Sequence, residues 1–262
     1  MISVSIEKIG VVAQGINNWQ EASVLLQGEA DYQGGELPPL KPSMLKPNER
    51  RRTTRTIKIA LQAAEEALQD LDNSEGLASV FSSSEGDLDI IDQICLALTE
   101  EGRPVSPTQF HNSVHNAPAG YWSIGAGARQ GSSSMGGLDG SFAAGLMEAA
   151  VQSVVEQIPV LLVCYDQPPP ELLQSFMPIS EPFSIAMLLK AESETALARL
   201  NLNTLPDGME SRLSKPALET LRLSAPSARS LPILEAVAQH QSASITLPYL
   251  PGLNLQAELQ PC

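Results

Sequence analysis

Ile2–Ile9 alternates apolar and polar positions, which predicts a half-buried strand. Gly10–Pro47 has weak periodicity and many Gly, Pro and Gln residues, which predicts loops with a short helix near Asn17–Leu26. Over Arg51–Leu71, Ile57, Ala60, Leu61, Ala64, Ala67, Leu68 and Leu71 recur at helical spacing. Leu77–Phe81 reads as a strand ending in the turn Ser82–Gly86, and Asp87–Leu98 as a helix. Asn112–Ala126, apolar and rich in small residues, predicts a buried helix, and Gly131–Ser134 a short strand. Ser141–Gln157 is a helix with Phe142, Ala143, Leu146, Ala149, Ala150 and Val154 on one face. Pro159–Tyr165 and Ser184–Leu189 are continuous apolar runs, as expected of strands covered on both faces. Ala196–Leu202 alternates like a strand, and Leu205–Pro226 is polar and irregular. Ser230–Gln241 reads as an amphipathic helix capped by Ser230, followed by strand-like Ser244–Pro248 and Leu253–Leu259. Strand and helix alternate as in a layered α/β protein, with no repeat or long linker, so one domain over 1–262 is expected.

The chain has 262 residues, 43% of them hydrophobic, enough for a sizeable core. Aromatics make up only 4%, so Ala, Val, Ile and Leu must fill that core. The net charge of −14 argues against a nucleic-acid or anionic-membrane surface, both of which need clustered Lys and Arg. Cys95, Cys164 and Cys262 are odd in number and widely spaced, which favours reduced thiols over a disulfide framework or zinc site. Met1–Gln20 lacks a signal-peptide pattern and no window has the apolar length of a membrane span, so the cytoplasm is the expected compartment.

The chemistry concentrates in Ser106–Ala150, where an apolar helix, a Gly/Ser-rich turn and a second helix from near Leu138 follow one another. A nucleophile in such a turn would sit at a helix N-terminus, where backbone N–H groups stabilise a thiolate. The glycines could equally serve only to let two helices pack closely. His111 and His115 have the spacing of a metal pair, but no carboxylate on the same turn supplies a third ligand and Pro118 follows closely. Arg50–Arg52 with Arg55 is the only basic run, suited to a phosphate or, preferably, to the chain's own carboxylates. Asp87, Asp89 and Asp92 read as a solvated helix start.

The segment resembles the beta-ketoacyl synthase family. Asn116-Ala117-Pro118-Ala119-Gly120 matches that family's Asn-x-x-Ala-Gly run, Ser132–Ser134 the segment before its nucleophile elbow, and Gly136–Ala149 the elbow and its helix. Arg50–Arg52 and the strand Val80–Ser84 with Glu85-Gly86-Asp87 agree upstream, so the resemblance runs from about Ile2 to Leu189. It implies a thiolase-like α/β fold, a mixed sheet covered by helices. The ungapped match puts Asp139 where the family has its catalytic cysteine; a gap moves that position to Leu138 or Gly137. The family's two histidines also lack counterparts, since beyond Leu189 only His240 occurs, in His-Gln-Ser-Ala. The family's mirrored second half is accordingly expected to be curtailed, leaving a core over 1–204 and a short part over 205–262.

Together these departures resemble the chain-length-factor branch, and in particular the short partner subunits of bacterial aryl polyene clusters. The resemblance implies a subunit without catalysis or cofactor. It would pair with a catalytic ketosynthase and meet the acyl carrier protein only indirectly. Gln109, Phe110, His111, His115, Asn116 and Phe142 would then lie at the dimer seam and acyl tunnel. The competing expectations are a thioester hydrolase or acyltransferase built on Ser134 or His115, and a self-assembling homodimeric scaffold.

Overall fold

The computed structural model describes every residue except Asp70, Asp72, Asn73 and Asp207. Chain order is β1 (Ile2–Ala13), α1 (Trp19–Gln27), α2 (Pro47–Arg52), α3 (Arg55–Ala67), β2 (Ala78–Ser82), α4 (Leu88–Thr99), α5 (Pro107–Asn112) and α6 (Ala117–Ala126). There follow β3 (Ser132–Met135), α7 (Ser141–Glu156), β4 (Val160–Asp166), β5 (Phe183–Lys190), β6 (Ala198–Pro206), α8 (Pro216–Ser224), α9 (Leu231–Ala238), β7 (Ala243–Leu250) and β8 (Leu253–Pro261). One eight-stranded sheet runs β3-β2-β4-β5-β1-β6-β8-β7. β2 is parallel to β3 and β4, and every other pairing is antiparallel.

Alternation along β4 explains its unbroken apolar run. Leu161, Val163 and Tyr165 face a core shared with α3 and Trp122 of α6, while Val160, Leu162 and Cys164 face one shared with α7 and α9. The molecule is therefore three layers, helices on both faces of a mixed sheet, and β4 and β5 lie in its interior, covered on both sides.

Several expected boundaries move. β1 continues past Ile9 to Ala13 because Val11, Val12 and Ala13 stay in register with β5. The helix expected over Arg51–Leu71 is two, broken at Thr53-Thr54, where the Thr54 side chain accepts from Ile57 N at 3.2 Å and starts α3 afresh; Asp70 of that range lies outside the described residues. The buried helix expected over Asn112–Ala126 is the end of α5 and all of α6, whose Gly120 and Ile124 are exposed. The irregular stretch Leu205–Pro226, of which Asp207 is outside the described residues, contains α8. Pro216 opens it and Leu218 and Leu221 fill its buried face. Ser230 holds the cap position of α9, but its Oγ donates to the Ser227 carbonyl instead of accepting from the helix (2.8 Å). α9 itself is buried nearly all round, with only Glu235 of its residues partly exposed. No helix among the described residues is long and apolar enough to cross a membrane.

Candidate functional site

Between β3 and α7 the chain makes a one-turn 3-10 helix at Leu138–Gly140. Gly137 N donates to Ser141 Oγ (3.0 Å), which donates to the Leu138 carbonyl (2.6 Å), so the turn is tied to the first residue of α7. Leu138 is held at φ 51°, a left-handed conformation that a branched residue adopts only under constraint. The constraint is visible on both sides. A Cβ on Gly140 would lie 1.9 Å from the Tyr249 carbonyl oxygen of β7, and one on Gly136 would lie 2.8 Å from the Ser83 carbonyl oxygen beyond β2. The glycines thus wedge the turn between two backbone segments, which is tighter than the helix-on-helix packing weighed from composition. Leu138 and Asp139 project outward and are exposed.

They border a cleft of about 300 Å³, opposite Phe176–Ile179 and the Leu223–Arg229 segment. No cysteine, histidine or lysine lines it among the described residues. Asp166, buried at the end of β4, holds its floor together. Its Oδ1 accepts from Ser84 N (2.9 Å) and Ser83 Oγ (3.3 Å), and its Oδ2 from Ser227 N (2.7 Å). Burial pushes its carboxyl up to about 6 while those hydrogen bonds oppose the rise. Beside it Arg222 grips Glu219 through Nε and Nη2 (both 2.8 Å) and Glu210 through Nη1 (3.0 Å). That pairing holds the Glu219 carboxyl below its usual range. Asp166, Arg222 and Arg229 were not singled out from the sequence. The available signal for Asp166 was a charged residue closing an otherwise apolar strand.

The expected seam residues separate into groups. Phe110, His111 and Asn116 come together on an apolar groove of about 430 Å³ between α5 and α6, with Val114, Tyr121 and Ile124. Phe110 is 66% and Ile124 69% exposed. The His111 ring meets Tyr121 edge-on at 6.1 Å. Gln109 turns away and donates from Nε2 to Gln93 Oε1 (2.6 Å). His115 also lies elsewhere, its Nε2 donating to the Met135 carbonyl (2.9 Å) with the ring against Gly86. The i, i+4 relation of the two histidines is lost because α5 stops at Asn112, so they do not converge on one ligand. Phe142 is fully buried in the core beneath the first turn of α7. No hydrogen bond joins Ser134 to His115 among the described residues; Ser134 pairs with Phe81 in the sheet. Cys95 and Cys262 are exposed and Cys164 is buried in β4, where burial pushes its thiol up. Asp87 accepts from Ile90 N (3.2 Å) as the cap of α4, and Arg55 opposes the upward push of burial on Asp89.

A three-layered molecule with this strand order and a tight turn leading into α7 is of the thiolase-like, ketosynthase type. Residues 18–248 match the family described as beta-ketoacyl synthase, N-terminal domain, and the chain belongs to that family. The match extends well past Leu189, the last residue of the resemblance read from the sequence. Among curated proteins, none matches the sequence. Among solved structures, the chain resembles one from the complex of the ketosynthase ApeO with its chain length factor ApeC from Xenorhabdus doucetiae (22% identity, TM-score 0.73, 98% of this chain and 100% of that chain). It also resembles a chain of the ishigamide ketosynthase/chain length factor (13% identity, TM-score 0.76, 99% of both chains). A third is the AntDE:AntF complex of a type II polyketide acyl-carrier protein with its ketosynthase (11% identity, TM-score 0.79, 100% of this chain and 99% of that chain). At these identities the likeness is one of fold.

Proposed function

We propose that the chain is a chain-length-factor-like subunit, catalytically silent, that pairs with an active beta-ketoacyl synthase. There it helps shape the acyl tunnel during polyene- or fatty-acid-type elongation in the cytoplasm. All of residues 1–262 act as one domain, and the acyl carrier protein meets the complex chiefly through the partner. The observation that carries the reading is the composition of the elbow cleft. Asp139, or Leu138 or Gly137, takes the place of a nucleophile, and the described walls offer no thiol to attack a thioester and no imidazole to assist. The exposed groove of Phe110, Val114 and Ile124 beside the edge strand β3 supports a partner on that side.

Co-expression with a ketosynthase encoded beside it, followed by native mass spectrometry, tests the pairing. A one-to-one heterodimer in which Phe110→Ala alters product length is expected. A homodimer that ignores the ketosynthase, or thioester turnover by the isolated chain, would overturn the proposal.

A further inference from the structure

Arg222 and Arg229 lie close together in opposite circumstances. Arg222 is 3% exposed and holds Glu219 and Glu210. Arg229, half-buried, lines the elbow cleft and forms no ion pair among the described residues. Its Nη1 donates to the Arg222 carbonyl (3.3 Å), and its Nε is buried without a partner. Burial and the charge of Arg222 both work against its cationic form, while Glu210, Asp139 and Glu219 favour it. A guanidinium does not shed its proton at working pH. A half-buried cation that has carboxylates nearby but none in direct contact is only partly compensated, and its position on the wall of a cleft marks a place for an anion.

The remaining walls decide which anion. Leu138, Phe176, Ile179 and Leu223 give the cleft an apolar side, and Phe176 is left 79% exposed. Glu85 and Asp139 also line it and would repel a second negative charge on a ligand. A volume of about 300 Å³ lies at the small end of ligand sites.

We propose that the elbow cleft is a non-covalent site for a monocarboxylate bearing a short apolar chain, its carboxylate on Arg229 and its chain against Leu138, Phe176 and Leu223. The site stands whether or not the chain pairs with a ketosynthase, because every residue in it belongs to this chain.

The test is calorimetric titration of octanoate into the full chain, or into its complex if it purifies only with a partner, with octanol and inorganic phosphate as comparators. Octanoate is expected to bind at least about tenfold more tightly than either comparator, as a charge-assisted guanidinium contact requires. Arg229→Gln should weaken it by about tenfold or more. Asp139→Asn, which removes a competing carboxylate, should tighten it. Phe176→Ala, at an exposed position that no core depends on, should weaken it and keeps the test open if Arg229→Gln misfolds. Absence of octanoate binding, equal affinity for phosphate, or octanoate affinity unchanged in both Arg229→Gln and Phe176→Ala would overturn the proposal.

Discussion

At the β7 end of the sheet, the outward backbone groups of Thr246 are already taken. Its N–H donates to Ser211 Oγ (3.0 Å) and its carbonyl accepts from Ser211 N (2.9 Å). Two residues on, Pro248 has no N–H to offer. At the β3 end, the carbonyls of Gly131 and Met135 accept from Ser79 N of β2 and from Ser83 N just beyond it (both 3.1 Å). By the two-residue alternation of a strand, the backbone of Ser132 and Ser134 faces outward, and no further strand pairs there among the described residues. An open edge templates pairing with another chain, whereas Pro and a bridging loop close one. The contrast teaches that association, if it follows the sheet, has one direction to go, and the apolar groove of α5 and α6 lies in the part of the chain that leads into that open edge. The closed end serves a different purpose: Tyr249 of β7 presses on Gly140, so this edge supports the elbow turn.

Variants on the two ends should separate stability from association. The largest effect is expected for Gly140→Ala, whose Cβ would meet backbone and not a movable side chain. Unfolding should show a loss of about 3 kcal/mol, and a loss within experimental error would mean that β7 yields freely. Next comes the pair Phe110→Asp and Ile124→Asp on the groove. Both residues are exposed, so the melting temperature should hardly move, while ketosynthase affinity should fall about a hundredfold. Unchanged co-purification would move the interface away from the open end. Ser211→Ala should cost about 1 kcal/mol, the worth of the Thr246 hydrogen bond, without altering partner affinity. A change in affinity would make the β7 edge part of the interface after all.

A separate, pH-dependent effect is electrostatic and lies between the two edges. Glu66 in α3 accepts from Val11 N (3.0 Å) and Trp19 N (3.1 Å), and burial pushes its carboxyl from 4.5 up to about 7. The folded state then binds a proton that the unfolded state releases. The stability it contributes is full below about pH 4.5 and is lost as pH rises through about 7. Melting curves across that window should therefore fall less steeply for Glu66→Gln than for the wild type. Parallel slopes would show that Glu66 stays ionised throughout.

What was legible in the sequence had a physical reason to be so. β4 and β5 announce themselves because helices cover both faces, which leaves no polar position inside the run. α7 is legible because Phe142, Leu146, Ala149 and Ala150 are all buried on one stripe. The elbow was legible as a glycine-rich turn, but only coordinates reveal that Gly140 answers to Tyr249, more than a hundred residues away. α8 was hidden because its apolar spacing is short and lies beside polar residues whose partners are within the helix, as with Arg222 and Glu219. The break at Thr53-Thr54 was hidden because a threonine reads as tolerable inside a helix, whereas its side chain is better used as a cap. Gln109, Phe110, His111 and His115 looked like one group because they are neighbours in sequence. Helical rotation within α5 turns Gln109 away from Phe110 and His111, and the end of α5 at Asn112 parts His115 from them, so they reach three surroundings.

The sequence by itself determined the layered α/β class, the central strands, the elbow and its lack of a thiol, since each depends on periodicity or on residue identity at one position. The tertiary structure decided which edge of the sheet stays open, which of the expected seam residues share a groove, and that Arg222 grips two carboxylates where Arg229 makes no ion pair among the described residues. Those depend on distances between segments far apart in the chain, which no local pattern encodes.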